Sequence, residues 1–204
     1  MQAENNLEVS RESMILNHVK IDEINTVCEI GVLNGGFSEW ILENLKPDKL
    51  FLVDPWICYS NYTDLNNSKQ DEQDERFSGV LKKFSGTQGV EVVREKSEVF
   101  LPKFEDEFFD LIYIDGDHRF TGVLSDLILS ANRVKRGGFM VIDDLHLNED
   151  GSSPWPEIMM AFSAFLQFYI NMGGSNSIPK FEFVDWCSNN IIVRKGGGAG
   201  FFCR

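Results

Sequence analysis

The sequence predicts an α/β fold: a mostly parallel, doubly wound sheet of seven strands whose last strand is antiparallel. Short apolar runs typical of buried strands alternate along the chain with segments whose apolar residues have helical spacing. This alternation is typical of strand–helix–strand units, which pair their strands in parallel and cover both faces of the sheet. The clearest run, Phe109–Ile114, is continuous in apolar character except for Asp110, as a strand at the centre of a parallel sheet should be.

The first half of the chain contains three further predicted strands. Apolar positions between Leu7 and Val19 have helical spacing and predict an N-terminal helix over about residues 7–19. The strands are the short apolar runs that follow it: Thr26–Ile30, Leu50–Val53 and Val90–Val93. Helical spacing after these strands predicts two helices and the beginning of a third: Phe37–Leu45, Glu75–Phe84 and Ser97–Leu101. The polar residues 60–75 predict a loop.

The second half continues the pattern after the central strand. Residues Phe120–Val134 predict a helix that Gly137 and Gly138 end, and Phe139–Ile142 predicts another buried strand. An aromatic-rich helix and two closing strands complete the order: Ile158–Tyr169, Phe181–Asp185 and Asn190–Arg194.

No internal repeat or domain boundary interrupts this order of elements. We therefore expect residues 1–204 to form one domain, with its core at 26–195 and a loose tail at 196–204.

The composition argues against nucleic acid and membranes as partners. Asp and Glu number 32 against 19 Lys and Arg, a formal charge of -13, and so acidic a surface repels phosphate backbones and anionic lipids. No run of Lys and Arg offers a basic patch, and no apolar stretch is long enough to cross a bilayer. The first ten residues lack the pattern of a signal peptide, and the four cysteines are widely spaced. We therefore expect a cytoplasmic protein with free thiols.

A glycine-rich segment, Glu29-Ile-Gly31-Val-Leu-Asn-Gly35-Gly36, lies between a predicted strand and a predicted helix. Glycines allow the backbone to turn sharply and to approach a ligand closely, and the following helix offers free N–H groups. The segment differs from the dinucleotide fingerprint GxGxxG because Leu33 occupies the position of the second glycine. It suits a ligand-binding turn, although a plain strand-to-helix turn has the same composition.

Asp54 ends the second predicted strand. A carboxylate at that position can accept hydrogen bonds from both hydroxyls of a ribose. Asp-Pro also simply begins turns, but the separation of Asp54 from Gly31 matches a strand–helix–strand distance. The two positions together favour a nucleoside site more than either does alone.

Three aspartates follow two other predicted strands. Asp115 comes after Phe109–Ile114, and Asp143 and Asp144 come after Phe139–Ile142. If these strands are neighbours, about 4.8 Å apart, their carboxylates converge at one edge of the sheet. Carboxylates so placed raise one another's pKa unless a cation joins them, and oxygen ligands suit Mg²⁺. The alternative is that Asp143 caps a turn and Asp144 faces solvent.

His118, three residues after Asp115, is the candidate general acid or base, because the ordinary pKa of histidine lies near neutrality.

These residues together resemble class I methyltransferases, most closely the small methyltransferase domain 24 group, from about Val27 to Arg194. The resemblance implies a Rossmann-like fold and S-adenosylmethionine as the cofactor. It implies that Glu29, Gly31 and Gly35 lie against the methionine part of the cofactor, and that Asp54 holds its ribose.

The resemblance extends to three later stretches. Glu95-Lys96-Ser97 stands where the family usually has Gly-Asp-Ser near the adenine, so Lys96 and Ser97 are cofactor-binding candidates despite the departure at the first two positions. The other stretches are Ile114-Asp115-Gly-Asp117-His118-Arg119-Phe120, which also brings Asp115 to the cofactor, and Gly137-Gly138-Phe-Met-Val-Ile-Asp143-Asp144.

The resemblance to metal-dependent members of this class implies which residues would bind the metal and which would act as the base. Catechol- and caffeoyl-type O-methyltransferases hold magnesium with an Asp after the fourth strand and an acidic or amide pair after the fifth, and Asp115, Asp143 and Asp144 occupy the matching positions. Their basic residue three positions after the first metal ligand corresponds to His118. Some sugar O-methyltransferases use an Asp two positions on instead, which corresponds to Asp117.

We therefore expect methyl transfer from S-adenosylmethionine to a small-molecule acceptor, at a hydroxyl oxygen of a sugar, phenol or similar compound, with Mg²⁺. The alternatives are a metal-independent N- or O-methyltransferase and a protein that binds S-adenosylmethionine without catalysis. Three aromatic residues near the predicted pocket either stack on the acceptor or pack in the core: Trp56, Tyr59 and Trp155. The aromatic last helix is compatible with a homodimer.

Overall fold

The computed structural model describes residues 10–146, 148, 150–171, 180–187 and 189–196, and it contains the predicted alternation of strands and helices. The strands of this part of the chain are β1 (Thr26–Ile30), β2 (Lys49–Val53), β3 (Val90–Val93), β4 (Phe109–Ile114), β5 (Val134–Ile142), β6 (Phe181–Cys187) and β7 (Asn190–Lys195). The helices are α1 (Arg11–His18), α2 (Gly36–Asn44), α3 (Gln70–Lys83), α4 (Ser97–Phe100), α5 (Phe120–Arg133) and α6 (Pro156–Asn171).

Within the described residues, seven strands form one sheet in the order β3-β2-β1-β4-β5-β7-β6. Strands β1 to β5 pair in parallel, whereas β7 runs antiparallel to both β5 and β6. The predicted fold class is therefore confirmed, including the antiparallel last strand. Because the first five strands are parallel, their carboxyl ends share one edge, and the segments that follow them meet there.

Alternate strand residues point to opposite sides of the sheet, and helices cover both sides, so both faces are buried. Cys28 and Ile30 pack on one face with residues of α4, α5 and α6. Val27 packs on the other face with residues of α1, α2 and α3. β4 is buried at every position, including Asp110, whose carboxylate accepts the backbone N–H groups of Asn25 and Thr26. Of the aromatic residues of α6, Phe162 and Phe165 are buried and Phe168 is half exposed.

Helix α3 begins at Gln70, so the expectation of a loop through residue 75 was wrong. The error arises because the first turns of this helix are polar: Gln70 is exposed, and Gln73, which faces inward, is polar as well. Gln73 is buried, and its side-chain amide donates to the carbonyl of Asn66 over 2.9 Å. The amide of Gln70 donates to the carbonyl of Trp56 over 3.0 Å. Buried polar residues with hydrogen-bond partners give no apolar periodicity for a sequence to display.

Gly137 and Gly138 lie inside β5 and do not end the preceding helix, which was the second wrong expectation. Helix α5 stops at Arg133 because Val134 already has extended backbone angles. A Cβ atom on Gly138 would lie 2.7 Å from the carbonyl oxygen of Asp110 in β4. The glycine therefore permits close approach of the two strands, at a shift in their register between Phe109 and Leu111.

The ends of the described region agree with the prediction only in part. Helix α1 covers Arg11–His18, and the side chain of Ser10 caps it by accepting a hydrogen bond from the Ser13 N–H over 3.2 Å. The first residues of the predicted helix and most of the predicted tail, 197–204, fall outside the described residues, so one domain over 1–204 stays a prediction. The cysteines described, Cys28, Cys58 and Cys187, are free thiols. None of the helices described here has the length and apolar character required to cross a bilayer.

Candidate active site

A cavity of about 200 Å³ opens at the carboxyl edge of the sheet. Its walls are the segments that follow β1, β2, β3 and β4, together with one face of α5. Of the sequence-predicted site residues, those that line it are Gly31, Asp54, Lys96, Ser97, Asp115, Asp117 and His118. Glu29, Gly35, Asp143 and Asp144 are not part of this lining.

Gly31 forms the turn where β1 enters the cavity wall. Its φ of +87° lies in the left-handed region, and a Cβ atom there would overlap the carbonyl group of Asp115. The backbones of the β1 and β4 loops therefore touch only because residue 31 is glycine. Gly35 also has a positive φ, +70°, but it precedes α2 and its α-carbon faces the ring of Phe84.

Asp54 fixes the glycine-rich turn to the end of β2. One carboxylate oxygen accepts the N–H groups of Val32 and Leu33, over 3.0 and 3.1 Å, and the other accepts the N–H of Trp56 over 2.7 Å. Burial raises the pKa of Asp54, and these three hydrogen bonds oppose that effect. The carboxylate therefore stands at the cavity wall in a fixed orientation.

Glu29 lies beneath the cavity rather than in its lining. Its side chain is 1% exposed and accepts a hydrogen bond from the hydroxyl of Ser38 on α2. Burial raises its pKa to about 8, partly opposed by the Ser38 hydrogen bond and reinforced by the charge of Asp115. Glu29 joins β1 to α2 as a neutral carboxylic acid at pH 7.

Asp115, His118 and Asp144 form a compact group at the ends of β4 and β5. Nε2 of His118 lies 3.5 Å from Oδ1 of Asp115 and 3.4 Å from Oδ2 of Asp144. Burial raises the pKa of Asp115 to about 7; its contact with His118 opposes this, and the charges of Asp143 and Asp144 add to it. The imidazole side chain is 10% exposed, and its Nε2 has no hydrogen-bond partner among the described residues.

The other side of the His118 ring is held by the loop that follows β2. Nδ1 lies 3.1 Å from Oδ2 of Asp64, and the backbone N–H of His118 donates to the hydroxyl of Tyr62 over 3.0 Å. Trp155 packs on the ring at a centroid distance of 4.8 Å. Burial lowers the pKa of His118, but its contact with Asp115 and the charges of Asp144 and Asp64 outweigh that effect and raise it. Nε2 therefore faces two aspartates, and Nδ1 faces a third.

The structure does not bring Asp143 into this group. Its Oδ2 accepts the guanidinium of Arg11 over 2.9 Å and also the hydroxyl of Tyr113. Its Oδ1 accepts the backbone N–H of Asp144 over 2.8 Å and the side-chain amide of Asn189 over 3.2 Å. The reason is the strand direction: Asp143 still follows the alternation of β5, whereas Asp144 has a φ of +59° and turns back toward His118.

Asp117 forms a salt bridge with Arg119, two residues later in the chain. Its carboxylate accepts Nε of Arg119 over 2.8 Å and the backbone N–H of Arg119 over 3.0 Å. Although burial opposes it, this pairing lowers the pKa of Asp117. A carboxylate with a lowered pKa is a weak base, so the geometry gives no support to Asp117 as the proton acceptor.

Two of the three aromatic candidates are placed where they can meet a ligand. Tyr59 lines the cavity and Trp155 covers His118. Trp56 is 1% exposed, packs on Phe77 at 5.0 Å and donates its indole N–H to the carbonyl of Leu33 over 3.0 Å. Trp56 is therefore a core residue, which is the second of the two roles that the sequence left open for it.

Comparison with known proteins identifies the fold and its activity. Residues 28–145, more than half of the chain, match the family model described as a methyltransferase domain. The chain belongs to this family. The methyltransferase takes its methyl group from S-adenosylmethionine, the donor that the family implies.

Individual relatives are distant. Uncharacterized protein R132 of Acanthamoeba polyphaga mimivirus is 26% identical to the methyltransferase over 170 residues, which are 81% of this chain and 69% of the mimivirus protein. A Clostridium thermocellum structure provisionally named an rRNA methylase has a TM-score of 0.60 at 15% identity, over 92% of this chain and 94% of that one. A Staphylococcus aureus structure provisionally named a caffeoyl-CoA O-methyltransferase has a TM-score of 0.58 at 13% identity, over 91% and 80%. At these identities the structures show the fold alone.

Several residues of the methyltransferase site were missed from the sequence: Arg11, Tyr62, Asp64, Tyr113 and Asp126. Asp64 and Tyr62 lie in a polar loop whose contacts with His118 span more than 50 positions, so no local pattern could reveal them. Asp126 had a signal, because it is an acidic residue on the apolar face of a predicted helix.

Proposed function

We propose that the protein transfers the methyl group of S-adenosylmethionine to a hydroxyl oxygen of a small molecule, with the help of a divalent cation. The observation that carries the proposal is the group formed by Asp115, His118 and Asp144. One ligand atom from each lies within 4.8 Å of the others. The group borders the cavity through Asp115 and His118.

The chemistry of these three side chains fits a cation. Nε2 of His118 is buried without a hydrogen-bond partner among the described residues, although an imidazole nitrogen in that setting normally has one. Its other nitrogen is held by Asp64, as metal-bound histidines are commonly held by a carboxylate. A mixed nitrogen and oxygen set favours Mn²⁺ or Zn²⁺ over the Mg²⁺ expected from an oxygen-only set.

Each residue then has a defined part in the reaction. When bound, a divalent cation would lower the pKa of the acceptor hydroxyl, whose proton would pass to water. The acceptor oxygen would bond to the methyl carbon as the bond between that carbon and the donor sulfur breaks, and S-adenosylhomocysteine would leave. Asp115 and Asp144 supply the negative charge, and Asp64 orients the imidazole of His118. Trp155 covers His118 and limits the access of water. The cavity walls keep the donor in line with the acceptor, which provides much of the rate.

The acceptor proposed is small because the chain is strongly acidic. A formal charge of -13 opposes an RNA acceptor, even though one similar fold bears an rRNA methylase name. The provisional name of the S. aureus neighbour agrees with transfer to oxygen. Tyr59 and Trp155 offer aromatic surface on which a ring of the acceptor can stack.

A second candidate is metal-independent transfer with His118 as the general base. The contact between Asp64 and His118 favours it, because a carboxylate on Nδ1 leaves Nε2 free to accept a proton. In this case Asp115 and Asp144 only line the site.

Titration with Mn²⁺, followed by electron paramagnetic resonance, separates the two candidates. We expect one tight site in the wild type, its loss in Asp144→Asn, and its retention in Asp143→Asn, the matched control in the neighbouring residue. Transfer of labelled methyl to a panel of phenols, catechols and sugars should stop with EDTA and return with Mn²⁺. Transfer that continues in EDTA and fails in His118→Ala would reject the cation and support the general base.

A third outcome concerns catalysis as a whole. Binding of the donor without transfer to any compound in the panel, with or without metal, would contradict the proposed hydroxyl acceptor.

A further inference from the structure

We propose that Asp126 recognises the adenine base of the donor, accepting a hydrogen bond from its exocyclic amino group through Oδ2. The inference depends on S-adenosylmethionine as the donor and is independent of the proposed cation and acceptor. It assigns base specificity to a residue of helix α5, which the motifs of the sequence did not single out.

The side chain of Asp126 lines the cavity although it is only 4% exposed. Its Oδ1 accepts the hydroxyl of Ser97 at the start of α4. Its Oδ2 lies beside Gly116, where even an added Cβ atom would be 3.3 Å away. In the part of the chain that the structure describes, no protein donor is bonded to Oδ2. A carboxylate oxygen without a protein donor, on a side chain that is otherwise buried, therefore borders the cavity.

The other aspartates that line the cavity already contact protein groups. Asp54 accepts three backbone N–H groups, and Asp117 accepts Arg119. Asp64 contacts His118, and Asp115 contacts it from the other side. Asp54, Asp64 and Asp117 have a donor on each carboxylate oxygen, and the side chain of Asp115 is 32% exposed. Asp126 differs from them because it is 4% exposed and has no donor on Oδ2 among the described residues.

Two lining residues near Ser97 are poor acceptors for an amino group. The ammonium group of Lys96 can only donate. Glu98 is 54% exposed and lies 3.3 Å from Lys96, so water and that lysine satisfy it. Among the acidic residues that line the cavity near Ser97, Asp126 therefore offers the buried side chain with an oxygen that no described donor contacts.

A purely structural role for Asp126 explains less of this arrangement. Linking α4 to α5 requires one oxygen opposite the Ser97 hydroxyl, which a neutral Asn would also supply. A carboxylate at this depth is costly without a second donor, and burial raises its pKa to about 7. An amino group that binds Oδ2 would supply the second donor.

The test is calorimetric binding of S-adenosylhomocysteine and S-inosylhomocysteine, in which a carbonyl group replaces the amino group. We expect the wild type to bind the adenine compound about 10- to 100-fold more tightly, the range of a hydrogen bond to a charged group. Asp126→Asn still offers an oxygen to Ser97 but presents N–H₂ to the base. It should bind the adenine compound at least about 10-fold more weakly than the wild type and lose most of the preference.

A control separates recognition from a general loss of charge. Glu98→Gln removes a neighbouring carboxylate that Lys96 already contacts, and it should retain the preference for adenine. Equal weakening of both compounds in Asp126→Asn would overturn the proposal, because that result indicates a structural role. If Asp126→Asn does not fold, the wild type still decides: binding of both compounds with equal affinity would refute an acceptor at the amino group. Neither compound needs a cation or an acceptor, so failure here is distinct from failure of the proposed reaction.

Discussion

Glu29 should make the protein less stable as the pH rises from 5 to 8. Its side chain is 1% exposed, and burial raises its pKa from the ordinary 4.5 to about 8. A folded-state pKa above the unfolded value gives stability that is complete below the unfolded pKa and is lost as the pH rises through the folded one. At about 1.4 kcal/mol per pKa unit, the loss attributable to Glu29 between pH 5 and pH 8 is roughly 3.5 kcal/mol.

Glu29→Gln isolates this contribution. The variant has no proton to lose, and its amide oxygen still accepts the hydroxyl of Ser38. Carboxyl groups that do not interact with Glu29 titrate in both proteins and cancel in the difference between variant and wild type. The charge of Asp115 contributes to the raised pKa of Glu29, so its effect is part of the difference. Urea unfolding of the metal-free proteins should show this difference moving in favour of the variant by roughly 3.5 kcal/mol between pH 5 and pH 8. Glu91→Gln, on the exposed side of β3, is the control. A difference for Glu29→Gln that stays constant over this range would refute the reasoning.

Two further substitutions test the supports of the site. Gly31→Ala should lower stability by about 3 kcal/mol or more in thermal unfolding, because its Cβ overlaps the carbonyl of Asp115 and its φ is positive. Gly36→Ala has open space and should change stability little; similar melting temperatures for the two variants would contradict the clash. Arg11→Leu should cost about 1 to 3 kcal/mol in urea unfolding, since it leaves the buried Asp143 without its cation. An unchanged unfolding midpoint would show that this ion pair does not stabilise the fold.

The fold was predictable because its signals are local. Each parallel strand contains a short and mostly apolar run, and β4 is apolar except for Asp110 because both of its faces are covered. The two errors concern local patterns that are compatible with more than one structure. The buried side of α3 contains Gln73, which is satisfied by a backbone carbonyl. The glycines of β5 serve close strand approach, although the same pair commonly ends a helix.

The site was predictable to the level of the sheet edge but not to that of the individual side chain. Strand ends brought Asp115 and Asp144 to the same place, as parallel pairing requires. Which of two adjacent aspartates faces the site depends on one backbone angle, the φ of +59° at Asp144. The partner of Asp143 is Arg11, 132 positions earlier, and such a pairing follows only from the packing of α1 on the sheet.

The charges of the site give an independent reason to expect a divalent cation. Three aspartates end β4 and β5, and three carboxylates that share one buried volume would repel one another strongly. Arg11 and Tyr113 bind Asp143 and remove it from that volume. Asp115 and Asp144 remain, with a combined formal charge of −2. They face Nε2 of His118, and Nδ1 of the same ring contacts Asp64. Two carboxylates and a neutral imidazole balance the charge of one divalent ion. Arg11→Leu should therefore also change the affinity for Mn²⁺, because Asp143 without Arg11 adds a third carboxylate to the site. An unchanged affinity would contradict this reasoning from charge, although it would not bear on the geometry of the three ligands.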